Sequence, residues 1–268
     1  MTATTQHPER CKVCGGASHP FGNALLLRKY DARYYQCGEC RFVQTETPYW
    51  LPEAYKSALV AADVGAVQRN LELAEITQVA VQQFFSSDGQ FLDYGGGHGL
   101  FVRLMRDRGF DFRWHDKYAA NLFSVGFAAS EDDRPFELVT AFEVFEHLVD
   151  PAAEVSEMLR RGNGSLLCTT QLLPSDNPRP GEWWYYVPTG GQHIAIYTLA
   201  ALKRLAERSA CYLVTDGAFL HLFSRQRISE RLFRFVIRGR VRALLNRVRT
   251  RASLIATDFA AITGDMLD

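Results

Sequence analysis

Apolar residues along this chain recur with two periods, and the switches between them mark out its elements. Short apolar runs at Phe91-Leu92, 112–115, 136–142 and 165–170 have strand length. Residues 100–108, 198–209 and 54–85, the last with Leu71, Ala74, Ile76, Val79, Ala80 and Phe84, carry helical spacing. Strands alternating with helices predict an α/β fold: a Rossmann-like, mostly parallel sheet with helices on both faces. Residues 212–215 and 218–223 predict a closing hairpin whose last strand is antiparallel. Upstream, 24–27 and 33–36 read as two short strands outside that pattern. Downstream, Ile228, Leu232, Phe235, Val236, Leu244, Leu245 and Val248 recur at intervals near three and four. They predict one or two basic amphipathic helices interrupted near Gly239. No apolar run approaches the roughly 20 residues that cross a bilayer.

Punctuation divides the chain into 1–47, 48–224 and 225–268, with Pro48 and Pro52 at the first crossing. With 268 residues, 47% of them hydrophobic, the chain can bury one good core and a small appendage. Formal net charge is zero, yet residues 225–251 hold Arg225, Arg227, Arg231, Arg234, Arg238, Arg240, Arg242, Arg247, Arg249 and Arg251 against one acid, Glu230. This tail either packs on an acidic body with its arginines solvated, or binds an anionic partner: a phosphate-bearing substrate, RNA or a membrane surface. Residues 252–268, apolar and mildly acidic, either pack back or serve in oligomerisation.

After Phe91-Leu92 comes Asp93-Tyr-Gly-Gly-Gly-His-Gly99. Glycines at 95, 97 and 99 permit a tight bend and leave no Cβ between main chain and ligand. The acid at its head argues for a cationic ligand over a pyrophosphate. A second strand then ends in Asp116, and a later one runs into Glu143-Val-Phe-Glu146-His147. In this order the motifs resemble the class I S-adenosylmethionine (SAM)-dependent methyltransferases over about residues 67–224. The resemblance implies SAM as cofactor, held by Asp93, Tyr94, Gly95, Gly97, Gly99, Lys117 and Phe142, with Asp116 accepting hydrogen bonds from both ribose hydroxyls. The family also places a helix and a third strand after the acid, and residues 117–135 are too few for both.

Cys11-Lys-Val-Cys14 and Cys37-Gly-Glu-Cys40 form two Cys-x-x-Cys pairs. Four thiolates so paired suit a closed tetrahedral zinc ribbon, structural and without a free coordination position. A disulfide or redox pair fits less well, because no signal peptide opens the chain and no thioredoxin-like pattern surrounds the cysteines. The expected location is cytoplasmic.

Acceptor chemistry belongs at the carboxyl ends of the strands. The loop 175–191 falls there, with Trp183-Trp184-Tyr185-Tyr186 followed by Gly190-Gly191-Gln192-His193. Similar segments occur in methyltransferases of sugar and polysaccharide biosynthesis, implying transfer to the oxygen or carbon of a small, carbohydrate-related acceptor such as a nucleotide sugar or glycan. An oxygen acceptor needs a base or a metal. Candidates are Glu143, Glu146, His147, His193 and Tyr186, with Glu143 and Glu146 or His147 expected on one helical face. Alternatively Glu143, Glu146, His147 and His193 resemble the divalent-metal site of small-RNA and ubiquinone-pathway O-methyltransferases, implying Mg²⁺ or Mn²⁺. The third reading is a non-catalytic zinc-ribbon module with a vestigial fold.

Overall fold

The computed structural model describes residues 9–56, 63–130, 133 and 135–266. At the N-terminus, β1 (Glu9–Arg10), β2 (Ala17–Leu26), β3 (Tyr30–Cys37) and β4 (Val43–Thr45) form an antiparallel meander. A short helix α1 (Leu51–Ala54) follows, then α2 (Ala66–Phe84), so the helix expected over 54–85 begins at 66, and residues 57–62 of that expectation lie outside the described residues. Next come β5 (Gln90–Tyr94), α3 (Leu100–Asp107), β6 (Asp111–His115), β7 (Leu138–Ala141), α4 (Pro151–Arg161) and β8 (Ser165–Thr169). The chain continues through β9 (Ala195–Ile196), α5 (Leu199–Arg208), β10 (Tyr212–Thr215) and β11 (Leu220–Ser224). It ends in α6 (Glu230–Val236), α7 (Gly239–Val248) and α8 (Ile255–Thr263).

The main sheet has the order β10-β11-β8-β7-β5-β6, parallel from β6 to β8, with β11 antiparallel between β8 and β10. Alternation along its strands sends Phe91, Phe112, Leu138 and Leu167 to one face, against α2, α3 and α6. Leu92, Val139, Leu166 and Cys168 go to the other, where α4 and α5 cover them. Both faces are buried, which is why these strands read as nearly continuous apolar runs.

Two features depart from the expected organisation. The N-terminal sheet takes its fifth strand from β9, pairing Val43 with Ile196, and Phe42 packs on Tyr197 at 5.0 Å. Chain on both sides of residue 47 therefore shares one core. After β6, the third strand is reduced to a single bridge, with Trp114 N–H donating to Phe127 C=O and Ala129 N–H to Trp114 C=O, each at 2.8 Å. The helix α8 packs beside this stub, where Ile262 faces Gly126 and Asp258 reaches Arg106 on α3.

Candidate active site

The glycine bend at the carboxyl end of β5 is held from beneath. Gly95 and Gly96 N–H both donate to the His115 carbonyl, at 2.8 and 3.1 Å, and Trp114 Nε1–H donates to the Gly97 carbonyl at 2.9 Å. Gly95 has φ +72°, and a Cβ there would lie 2.6 Å from Val144 Cγ2. Gly97, at φ +52°, would place a Cβ against nothing within 4 Å. It faces a cavity of about 180 Å³ that Tyr55, Tyr94, Gly95, Asp116, Lys117, Tyr118, Glu143, His147 and Gln192 also line. Tyr94, His115 and Lys117 belong as well to the wall of an adjoining recess of about 790 Å³. Tyr55 stacks on Tyr118 with ring centroids 4.4 Å apart.

Asp116 lines the cavity with most of its acceptor capacity already used. Oδ2 accepts from Gly97 N–H at 2.9 Å, and Oδ1 from Tyr118 and Ala119 N–H, both at 2.7 Å. A carboxylate has about four lone-pair sites, so one remains, on Oδ2. That leaves no capacity for the paired acceptance of two hydroxyls implied by the family resemblance.

Glu143 departs from the helical turn expected of it. It has φ +55°, uncommon for a residue with a Cβ. Thr169 clamps it there: Oγ1 accepts from Glu143 N–H at 2.8 Å and donates to Oε1 at 2.9 Å. Burial, then the neighbouring Glu146 charge, push the Glu143 carboxyl up to about 7, opposed by Arg69, whose Nε lies 3.8 Å from Oε2. Glu146 sits in the following 3₁₀ turn, fully buried, and burial pushes it up to about 7; the Tyr185 and Thr170 hydroxyls lie close enough to hold its carboxyl down a little, yet neither oxygen has a partner in good hydrogen-bond geometry. Burial, then His193, lower His147 to about 3, and burial lowers His193, so both rings are neutral at pH 7. His147 Nδ1 meets Tyr55 Oη at 3.1 Å, while His193 Nδ1 lies 2.6 Å from the Tyr185 carbonyl. A carbonyl only accepts, so His193 carries its proton on Nδ1 and leaves Nε2 bare. Ligand atoms of Glu146, His147 and His193 all lie within 4.8 Å of one another, a group that does not include Glu143.

Four residues expected at the site lie elsewhere. Tyr186 is buried against Tyr34 and donates its hydroxyl to the Pro178 carbonyl at 3.0 Å; its neighbour Tyr185 is the one beside His193. Phe142 packs edge-on against Phe101 in the core. Asp93 is buried beneath the bend, accepting from Thr140 Oγ1 at 2.8 Å, and burial lifts it to about 7. Gly99 begins α3 with φ +85° against Asn121 and Ser124. Tyr55, Arg69 and Tyr118, which the structure brings to the site, carry no motif that sequence could have flagged.

At the other end, the Sγ atoms of Cys11, Cys14, Cys37 and Cys40 lie within 4.8 Å of one another, Cys11 to Cys40 at 3.6 Å and Cys14 to Cys37 at 3.5 Å. Tetrahedral thiolates about 2.3 Å from zinc stand about 3.8 Å apart, so the four fit that ion.

The profile of the methyltransferase domain matches residues 66–215, more than half of the chain. The chain belongs to the methyltransferase domain family. Among solved structures it resembles CalO1, a methyltransferase in calicheamicin biosynthesis in its S-adenosylhomocysteine-bound form, at 14% identity over 58% of this chain and 54% of that one, TM-score 0.43. It also resembles TnmH, at 17% identity over 66% and 61% of the two chains, TM-score 0.46. Human N-acetylserotonin methyltransferase in complex with SAM gives 13% identity over 66% of each chain, TM-score 0.38. The chain spans less than two thirds of the length of CalO1 and of TnmH. No curated protein matches the sequence.

Proposed function

We propose that the protein is a SAM-dependent methyltransferase that methylates a hydroxyl of a small, carbohydrate-related acceptor, with Glu143 as the base. The observation that carries this is a strained carboxylate, tuned to about 7, on the wall of the cavity into which the glycine bend opens. In this reading Gly95 and Gly97 hold the cofactor on bare backbone. The free lone pair of Asp116 takes one ribose hydroxyl, and Tyr94 and Lys117 flank it. SAM, when bound, supplies an electrophilic methyl on a sulfonium. The protein's part is to position the acceptor, exclude water and remove one proton. Glu143 takes that proton onto its carboxylate, the bare Nε2 of His193 accepts from a second hydroxyl of the acceptor, and His147 holds Tyr55 at the cavity wall. Trp184, 69% exposed and edge-on to Tyr185, offers a ring face for a sugar. The four cysteines hold a structural zinc.

Calorimetry with SAM, then methyl transfer to nucleotide sugars and glycans, tests this reading. No heat would leave the non-catalytic module. Gly97→Ala puts a methyl into the cavity with no protein atom within 4 Å of it, at the cost of about 1 kcal/mol of strain for a Cβ at φ +52°, and it weakens SAM binding by roughly tenfold, about 1.4 kcal/mol. Its circular dichroism should stay that of the parent. An unchanged dissociation constant would remove the bend from the cofactor site.

A second reading is favoured by the grouping of Glu146, His147 and His193: a divalent cation held there orients the acceptor oxygens. Two imidazoles suit Mn²⁺ better than Mg²⁺. Glu146 itself gives the test. Its folded pKa of about 7 lies above the unfolded 4.5, so its stabilising contribution is full below pH 4.5 and is lost as pH rises through 7. At pH 8 its ionisation costs roughly 3 kcal/mol. In chelated protein, Glu146→Gln should melt several degrees above the parent at pH 8 and close to it at pH 4. With Mn²⁺ added, only the parent should gain stability. A parent melting temperature indifferent to Mn²⁺ would eliminate the cation.

A further inference from the structure

Helix α7 lies along α2 through Arg242, which reaches Glu72 and Glu75 at 3.3 and 3.2 Å, and Asn246, which donates to the Glu75 carbonyl at 3.1 Å. Those contacts fix which side of the helix faces outward. Arg240, Leu244, Arg247 and Val248, at i, i+4, i+7 and i+8, share one exposed stripe, with Leu244 63% and Val248 73% exposed. The preceding helix repeats the arrangement. It buries Phe233 and Val236 and exposes Arg231, Leu232 and Phe235, with Arg238 exposed just beyond its end. Among the described residues, Arg231, Arg238, Arg240 and Arg247 have no ion pair, and the acid Glu230 is taken by Arg234 at 2.7 Å. Cations and apolar side chains therefore interleave on an outer surface that gives neither a partner.

We propose that this α6–α7 face docks on an anionic lipid surface and holds the methyltransferase at the membrane periphery. Nucleic acid supplies phosphates for the arginines and no apolar medium for Leu244, Val248 and Phe235. A lipid interface supplies both: headgroup charge for the guanidinium groups and acyl chain for the side chains between them. Packing within the chain does not account for the stripe, since α7 has no buried residue and touches α2 with its other side. The inference is independent of what the cavity binds.

Co-sedimentation of the full chain with phosphatidylcholine vesicles, with and without 30% phosphatidylserine, tests it. Binding should appear with the anionic vesicles and fall at high salt. Arg240→Ala with Arg247→Ala should weaken it by roughly 25-fold, about fivefold for each arginine. Leu244→Ser with Val248→Ser should weaken it comparably at unchanged charge. All four positions are exposed, so circular dichroism and melting temperature should match the parent. Equal or absent binding to both vesicle types overturns the proposal. So does anionic binding indifferent to the serine substitutions, or single-stranded RNA that displaces the vesicles and is itself bound equally well by the serine variant.

Discussion

Glu143→Gln is expected to lower the methyl-transfer rate by about 10²–10⁴-fold, the usual worth of a positioned base, while leaving the affinity for SAM near that of the parent. The size follows from the tuning of this carboxyl. An ordinary glutamate is too weak a base to draw a proton from a hydroxyl. One lifted to about 7 by burial and by Glu146 is still half ionised at neutral pH and far more basic. The rate of the parent should therefore fall tenfold per pH unit below about 7, and that acid limb should vanish in Glu143→Gln. Arg69 gives an independent handle. Its guanidinium, which also pairs with Asp63 at 2.7 Å, holds the Glu143 pKa down. Arg69→Met should move the acid limb to higher pH. An acid limb that survives in Glu143→Gln would transfer the role of base to another group, and a limb unmoved by Arg69→Met would show that Glu143 does not set it.

The frame of the methyltransferase domain was legible because it is written in local order. Strand, glycine bend, helix and strand-end acid fall within a few turns of one another, and short apolar runs fix the strands. Side-chain direction was harder to read. Asp93 lies two residues after Phe91 on β5, so strand alternation sends it to the same interior face, where it meets Thr140 beneath the bend. Within the 3₁₀ turn Trp184–Tyr186, successive residues point about 120° apart. That rotation puts Tyr185 beside His193 and sends Tyr186 into the N-terminal sheet, and four adjacent aromatics carry no mark of which is which. Glu143 and Glu146 at i and i+3 suggest a shared helical face. The positive φ at Glu143 depends on a hydroxyl from Thr169, 26 residues later, which no local pattern encodes. The cysteine pairs, by contrast, announce their geometry through spacing alone.

Hardest to foresee was the closing of the shortened region after Asp116 by the last helix, and the residue that locks it should show the largest stability effect. Asp258→Ala is expected to cost about 3–5 kcal/mol, as removal of one partner from a buried ion pair does. For a chain of this size that lowers the melting temperature by roughly 6–20 °C. Asp258 is 4% exposed and accepts from Arg106 Nε at 2.9 Å and Nη2 at 2.6 Å, with Arg103 Nη1 at 2.9 Å. The Arg106 guanidinium also bonds Asp111 and the Phe112 carbonyl and lies 3.8 Å over the Phe127 ring, beside the stub of the third strand. Losing Asp258 takes two hydrogen bonds from the buried Arg106 guanidinium, which keeps Asp111 alone as its counter-charge, and one carboxylate from Arg103. Removing charge from both sides, as Arg106→Leu with Asp258→Leu, should recover part of the loss, because two buried charges are desolvated together or not at all. Phe127 and Ser124, one turn earlier, connect this lock to Gly99 at the foot of the bend, Ser124 being the side chain that a Cβ on Gly99 would strike. Asp258→Ala should therefore also weaken SAM binding at temperatures where the chain is still folded, measured by calorimetry well below the new midpoint. A melting temperature within 2–3 °C of the parent, less than about 1 kcal/mol, would show that α8 rests on the sheet without holding it.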